Sequence, residues 1–179
     1  ILSTIISTKA DDIKDFEIEG VSIGDSLLDY FTQDQIDNND LKANFKDKSV
    51  EGILFQNIDL IVNYDAMQFV YKVNNMEIIN ITALTKTGDD IEICKKKKNQ
   101  VVSELNDIFI NIKKKNNETN HRADKSGKSK VISTFFNFKS GDYVAVECEL
   151  WTKEMGHPNV LKVSLRTDFY NEFLIKEYE

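Results

Sequence analysis

Proline is almost missing from this chain: Pro158 stands alone, and no Gly/Ser/Pro-rich stretch interrupts the 179 residues. Nothing therefore reads as a linker, no repeat is visible, and the length suits one core of ordinary size. Arginine is nearly as scarce, with Arg122 and Arg166 the only two. The chain thus has few of the rigid guanidinium forks that grip phosphate or carboxylate at two points. Lysine carries the positive charge instead, and a formal net charge of −7 opposes nonspecific attraction to nucleic acid or to an anionic membrane. No apolar run approaches the roughly 20 residues that a membrane-spanning helix needs. The bias toward Lys, Ile and Asn fits an AT-rich genome better than a chemical demand.

The apolar and small-residue run Ile1 to Ala10 ends in Thr8-Lys9-Ala10 and meets Asp11-Asp12 at once. Secretory signals end this way at their cleavage site. Residues 1–10 are therefore expected to be a signal remnant and 11–179 a single periplasmic or secreted domain, the alternative being an edge strand of that domain. No Cys follows the run for lipid attachment.

Along the rest of the chain, Asp15 to Gly20 reads as a strand and Val21 to Asp25 as a turn, with Asp25 or Ser26 capping a short helix whose apolar face is Leu27, Leu28, Tyr30 and Phe31. Thr32 and Gln35 have capping-box spacing. Strands are expected at 52–55, 67–73 and 77–84, the last two joined by a tight turn at Asn74-Asn75. From Asp89 to about Ile112 the period is helical, with Cys94, Val101, Leu105, Ile108 and Ile112 on one stripe, and Lys95 to Lys98 on the outer face. Asp89, Asp90 and Glu92 at its start and Lys113 to Lys115 at its end suit the helix dipole. Residues 116–130 read as a polar loop. Strands follow at 131–138, 143–151 and 160–166, then a helix from Thr167 to Tyr178 with Phe169, Phe173 and Leu174 inward. The class is α+β: an antiparallel sheet with a long central helix and short terminal helices packed against it.

Few patterns point to chemistry. Gly127-Lys128-Ser129 ends like a phosphate-binding loop, but the position five residues before Gly127 is Arg122, and a strand rather than a helix is expected next. The stretch is a turn, not a nucleotide site. It is nonetheless the most basic part of the chain, and His121, Arg122, Lys125, Lys128 and Lys130 form a candidate anion patch, set against a solvated charged face. No aromatic residues interleave with these lysines, so base stacking has no support and no nucleic-acid partner is expected. Cys94, His121, Cys148 and His157 lack the pair spacing of zinc sites, and no metal or cofactor is expected. Cys94 falls on the helix stripe and Cys148 on the apolar face of Val144, Val146 and Leu150. A disulfide between them would staple helix to sheet, the alternative being two buried thiols. His121 with Asp124 is a local pair and His157 lies in a turn. The two readings that follow are a binding or structural domain without catalysis, and an enzyme acting on a small anionic substrate through the basic residues 113–130. The partner would be a small anion or another protein.

The segments Asp15 to Phe31, Tyr64 to Tyr71 and Ala123 to Lys130, with Cys94 and Cys148 through Trp151 to Gly156, resemble a family of small secreted proteins, without assigned activity, of marine Pelagibacter-type alphaproteobacteria. The resemblance covers nearly all of 11–179 and implies an exported bacterial protein. It implies no catalytic or ligand residue.

Overall fold

Two antiparallel meanders meet in the middle of one eight-stranded sheet. A computed structural model of the chain describes residues 12–43 and 45–178; the run read as a signal remnant lies outside the described residues. A 3-10 turn at Ile13–Asp15 leads into a small hairpin, β1 (Glu17–Ile18) and β2 (Val21–Ser22). Its two-residue loop has φ of +53° at Glu19 and +78° at Gly20, the positive-φ pair that matches the twist of a hairpin. A second 3-10 turn, Leu27–Asp29, and the helix α1 (Gln33–Asp37) each begin with a capping box, Ser26 with Asp29 and Thr32 with Gln35.

The first meander is β3 (Lys42–Ala43), β4 (Val50–Gln56), β5 (Ala66–Lys72) and β6 (Ile78–Gly88). Helix α2 (Ile91–Ile108), capped by Asp90, then carries the chain to the far edge. From there β7 (Lys113–Asn120), β8 (Lys130–Asn137), β9 (Tyr143–Leu150) and β10 (Asn159–Arg166) step back until β10 pairs with β6. The order is β3-β4-β5-β6-β10-β9-β8-β7, with every neighbour antiparallel. Helix α3 (Asp168–Tyr178) closes the chain.

Strand alternation divides the side chains between two faces. Ile53, Phe69, Ile81, Val163, Val146 and Phe136 lie on one face, where α2 and the N-terminal turns cover them and build the main core with Leu27, Phe31 and Ile36. Cys94 at the start of α2 and Cys148 on β9 are joined in a disulfide, with Cα atoms 6.0 Å apart. The staple expected from their two apolar faces is formed. The other face has a smaller core, Phe45, Val50, Val70 and Ile79 under Tyr170 and Phe173 of α3. That helix covers the first meander, and on this face the outer strands of the second carry a mixture of polar and apolar side chains, Asn117, Thr119 and Ser133 beside Val131 and Phe135.

The sheet with few helices agrees with the α+β class, but several local expectations fail. The 89–112 helix stops at Ile108, because Phe109 turns out of helical geometry (ψ 70°) and packs on Phe16, Phe136 and Phe138. Lys113 to Lys115 therefore belong to a strand and not to the helix end. Residues 113–120, KKKNNETN, pair along their whole length with β8, so only 121–129 of the expected loop is loop. Leu28 is 46% exposed, since a single 3-10 turn buries only Leu27. Phe169 is 48% exposed and lies under the Lys72 ammonium, 4.9 Å from its ring centre, while Tyr170 takes the inward place. Lys98, assigned to the outer face, is only 6% exposed.

Candidate functional site

The face of the second meander beside α3 is where ionisable groups gather. On β9, Val144, Val146, Cys148 and Leu150 point to α2, so Tyr143, Glu147 and Glu149 project to the opposite side. The register places Lys162 beside Glu147 and Val160 beside Glu149 on β10, and Ser133 beside Glu147 on β8. The carboxylates find cations here: Lys162 Nζ lies 2.6 Å from Glu149 Oε1, and Arg166 Nη2 lies 3.2 Å from Glu147 Oε2. Ser133 Oγ donates to the second oxygen of Glu147 at 2.9 Å, and Arg166 Nη1 donates to Tyr143 Oη at 3.2 Å. Two buried atoms on paired residues keep no partner among the described residues, the donor Arg166 Nε and the acceptor Asn80 Oδ1.

These strands and Asn171, Leu174 and Ile175 of α3 bound a groove of about 820 Å³, within the range of small-molecule sites. One end is aromatic. His121, which lines the groove, packs on Trp151 with ring centres 3.8 Å apart, and His157 lies on the same indole at 4.8 Å. Both histidines of the chain thus touch its one tryptophan. His121 Nε2 is 3.7 Å from Glu149 Oε1, and its Nδ1 accepts from the Ala123 N–H.

The expected anion-patch residues have different fates. His121 and Arg122 line the groove. Lys125 and Lys128 are exposed on the loop, and Lys130 Nζ donates across the strand pair to Asn120 Oδ1. Asp124, read beside His121 as a local pair, turns inward instead. Its carboxylate accepts from the Ser126 N–H, and from the N–H and the hydroxyl of Ser129 at 2.8 and 2.6 Å. These hydrogen bonds from Ser126 and Ser129 hold the Asp124 carboxyl well below the usual carboxylate range. Ser129 Oγ also accepts from the Thr152 N–H, tying the loop to the end of β9. Gly127 has φ of +71°, so the Gly-Lys-Ser tripeptide marks a left-handed turn. No family model matches the chain, and no curated protein or solved structure matches it.

Two features of the site depend on tertiary context. The polar alternation Glu147, Glu149 opposite Cys148 was visible, but its cationic partners come from a strand met only through the register. Lys98 was hidden by its neighbours: four lysines in a row look solvated, yet position 98 is four residues after Cys94 and three before Val101, squarely on the buried stripe.

Proposed function

We propose that this is an exported domain that binds a small, uncharged polar solute in the groove beside α3 and performs no chemistry of its own. The observation that supports it is charge balance. Glu147 and Glu149, the two carboxylates of the groove, each already hold a cation. Among the described residues, Arg166, also in its lining, keeps an Nε donor without a partner, and the Arg122 guanidinium, on the exposed loop at one end, is in no ion pair. A neutral ligand that offers an acceptor to the Arg166 donor meets the strand floor without displacing an ion pair. The rival enzymatic reading draws on His121, Asp124 and Lys128, but the Asp124 carboxylate is spent on the loop's own serines and Lys128 is exposed. Export is supported by the disulfide, which persists in oxidising compartments, and by the signal-like run; kinship with the marine secreted family belongs to the same proposal.

Trp151 provides the test. As the one tryptophan, stacked on a groove residue, its emission should shift when a solute displaces His121. A panel of sugars, polyols and amides is titrated into the full chain while Trp151 emission and the unfolding midpoint are followed. At least one solute should change both, and Arg166→Met should weaken it. If no solute changes either signal, the groove is not a binding site and the domain's role is structural.

A further inference from the structure

Lys98 is the oddest charge in the molecule. It lies on the buried stripe of α2 with Cys94, Val101 and Leu105, and at 6% exposure it does not extend its head group to water as lysines on apolar surfaces ordinarily do. No carboxylate among the described residues pairs with it. Its Nζ donates to Thr134 Oγ1 at 2.6 Å, and Thr134, having accepted, donates its own proton to Asn116 Oδ1 at 2.8 Å. The direction of this relay is forced, because an ammonium has only donors. It commits the Thr134 proton to Asn116 Oδ1, and leaves the Asn116 NH2 and the remaining Lys98 N–H groups as donors.

These groups line a cleft of about 470 Å³ between α2 and the β7–β8 edge. Lys114, on the same side of β7 as Asn116, stands on its rim and gives one hydrogen bond to Asn106 Oδ1 at 3.0 Å. Its charge is felt by Lys98, whose proton affinity is pulled down first by burial and then by Lys114. The other charged group on the cleft is Glu118. It is exposed, lies two residues beyond Asn116 and so roughly 6.6 Å further along the strand, and pairs with neither lysine. The cleft therefore offers one ammonium group inside, a second at its rim and an amide donor between α2 and β7. A buried ammonium without a counter-charge is strongly unfavourable, and an anion seated between the two lysines would relieve it.

We propose that this cleft binds a phosphate dianion, either free or as the end of a small phosphate ester, with Lys98 as the buried anchor and Lys114 and Asn116 as the outer donors. Two ammonium groups match a doubly charged oxyanion better than a single carboxylate. The proposal is independent of the solute groove, which lies on the other face of the sheet.

The test is calorimetric titration of the full chain with inorganic phosphate and, separately, with glycerol phosphate, at matched ionic strength in a buffer free of other oxyanions. Either ligand should bind one to one, and near 100 times its dissociation constant raise the unfolding midpoint by roughly 5–10 °C. Stronger binding of the glycerol compound would identify the ester as the source, and stronger binding of inorganic phosphate the free ion. Lys98→Met should abolish binding, Lys114→Gln should weaken it at least about tenfold, a loss of one charge-assisted contact, and Lys96→Gln, an exposed lysine of the same helix, should leave it unchanged. If Lys98→Met fails to fold, the exposed Lys114→Gln carries the decision. Absence of binding by the natural chain, or equal binding by the Lys114→Gln or a folded Lys98→Met variant, overturns the proposal.

Discussion

On the side of the second meander turned to α3, Arg166 and Lys162 meet Glu147 and Glu149 at 3.2 and 2.6 Å; on the side turned to α2, Lys98 meets only a hydroxyl. The same strands separate the two arrangements. Where cation and carboxylate arise on adjacent strands, they pair obliquely across the register and both carboxylates are neutralised. Where the cation arises from the helix, the facing strand positions are Thr134 and Asn116, which can pass a hydrogen bond along but cannot neutralise a charge. A buried positive group can thus be kept by internal pairing or left open to something from outside, and this protein does one on each side of a single sheet.

The largest way to disturb the contrast is to release the helix that carries Lys98. Replacing Cys94 and Cys148 by serine removes a closure spanning 54 residues, and should cost about 4 kcal/mol on the chain-entropy account. Denaturant titration with and without reductant checks this, and the reduced natural chain should behave like the variant. The paired side is probed next. Arg166→Met strips a partner from both Glu147 and Tyr143, and should cost roughly 2 kcal/mol, since hydrogen bonds to charged groups are worth about 1.5–3. A loss under about 0.5 kcal/mol would mean that the pairing is not organised as described.

Lys98→Met should go the other way. In phosphate-free buffer at neutral pH it should be neutral or stabilising by up to about 1 kcal/mol, because it removes a buried charge that has no counter-charge. The pH dependence gives the sign independently. With the folded proton affinity of Lys98 lowered, the unfolded chain binds more protons, so stability should rise with pH from the lowered folded value toward 10.5. That rise should be missing in Lys98→Met. The smallest effect is local. The Asp124 carboxyl is depressed in the fold, so its contribution is present above the ordinary value near 3.8 and is lost as pH falls through the folded value. The low-field amide signals of Ser126 and Ser129 should therefore persist as pH falls past 3.8 and collapse only in stronger acid, with Asp124→Asn lacking that transition.

Much of this frame could be read from residue order. The alternation of Tyr143 to Leu150 announced a strand with one apolar face, and that face led to the disulfide. The capping pair Thr32 and Gln35 marked α1. What escaped was set by tertiary context. Residues 113–120 contain no apolar side chain and every one is exposed, so no period could mark them as β; they pair because β8 presents a long edge to them, and their lysines discourage further strands from adding beyond. Leu28 fell outside because a 3-10 turn of three residues has no second apolar row. Lys98 escapes because its surroundings are made by Asn116 of β7 and Thr134 of β8, which are distant in sequence.

The most direct measurement is the titration of the Lys98 ammonium itself, by its side-chain 15N resonance in the full chain, with and without inorganic phosphate. The account expects a midpoint below the ordinary lysine value of 10.5 in phosphate-free buffer, and an upward move when phosphate supplies the missing counter-charge. A midpoint at or above 10.5 without phosphate, or one that phosphate leaves in place, would contradict it.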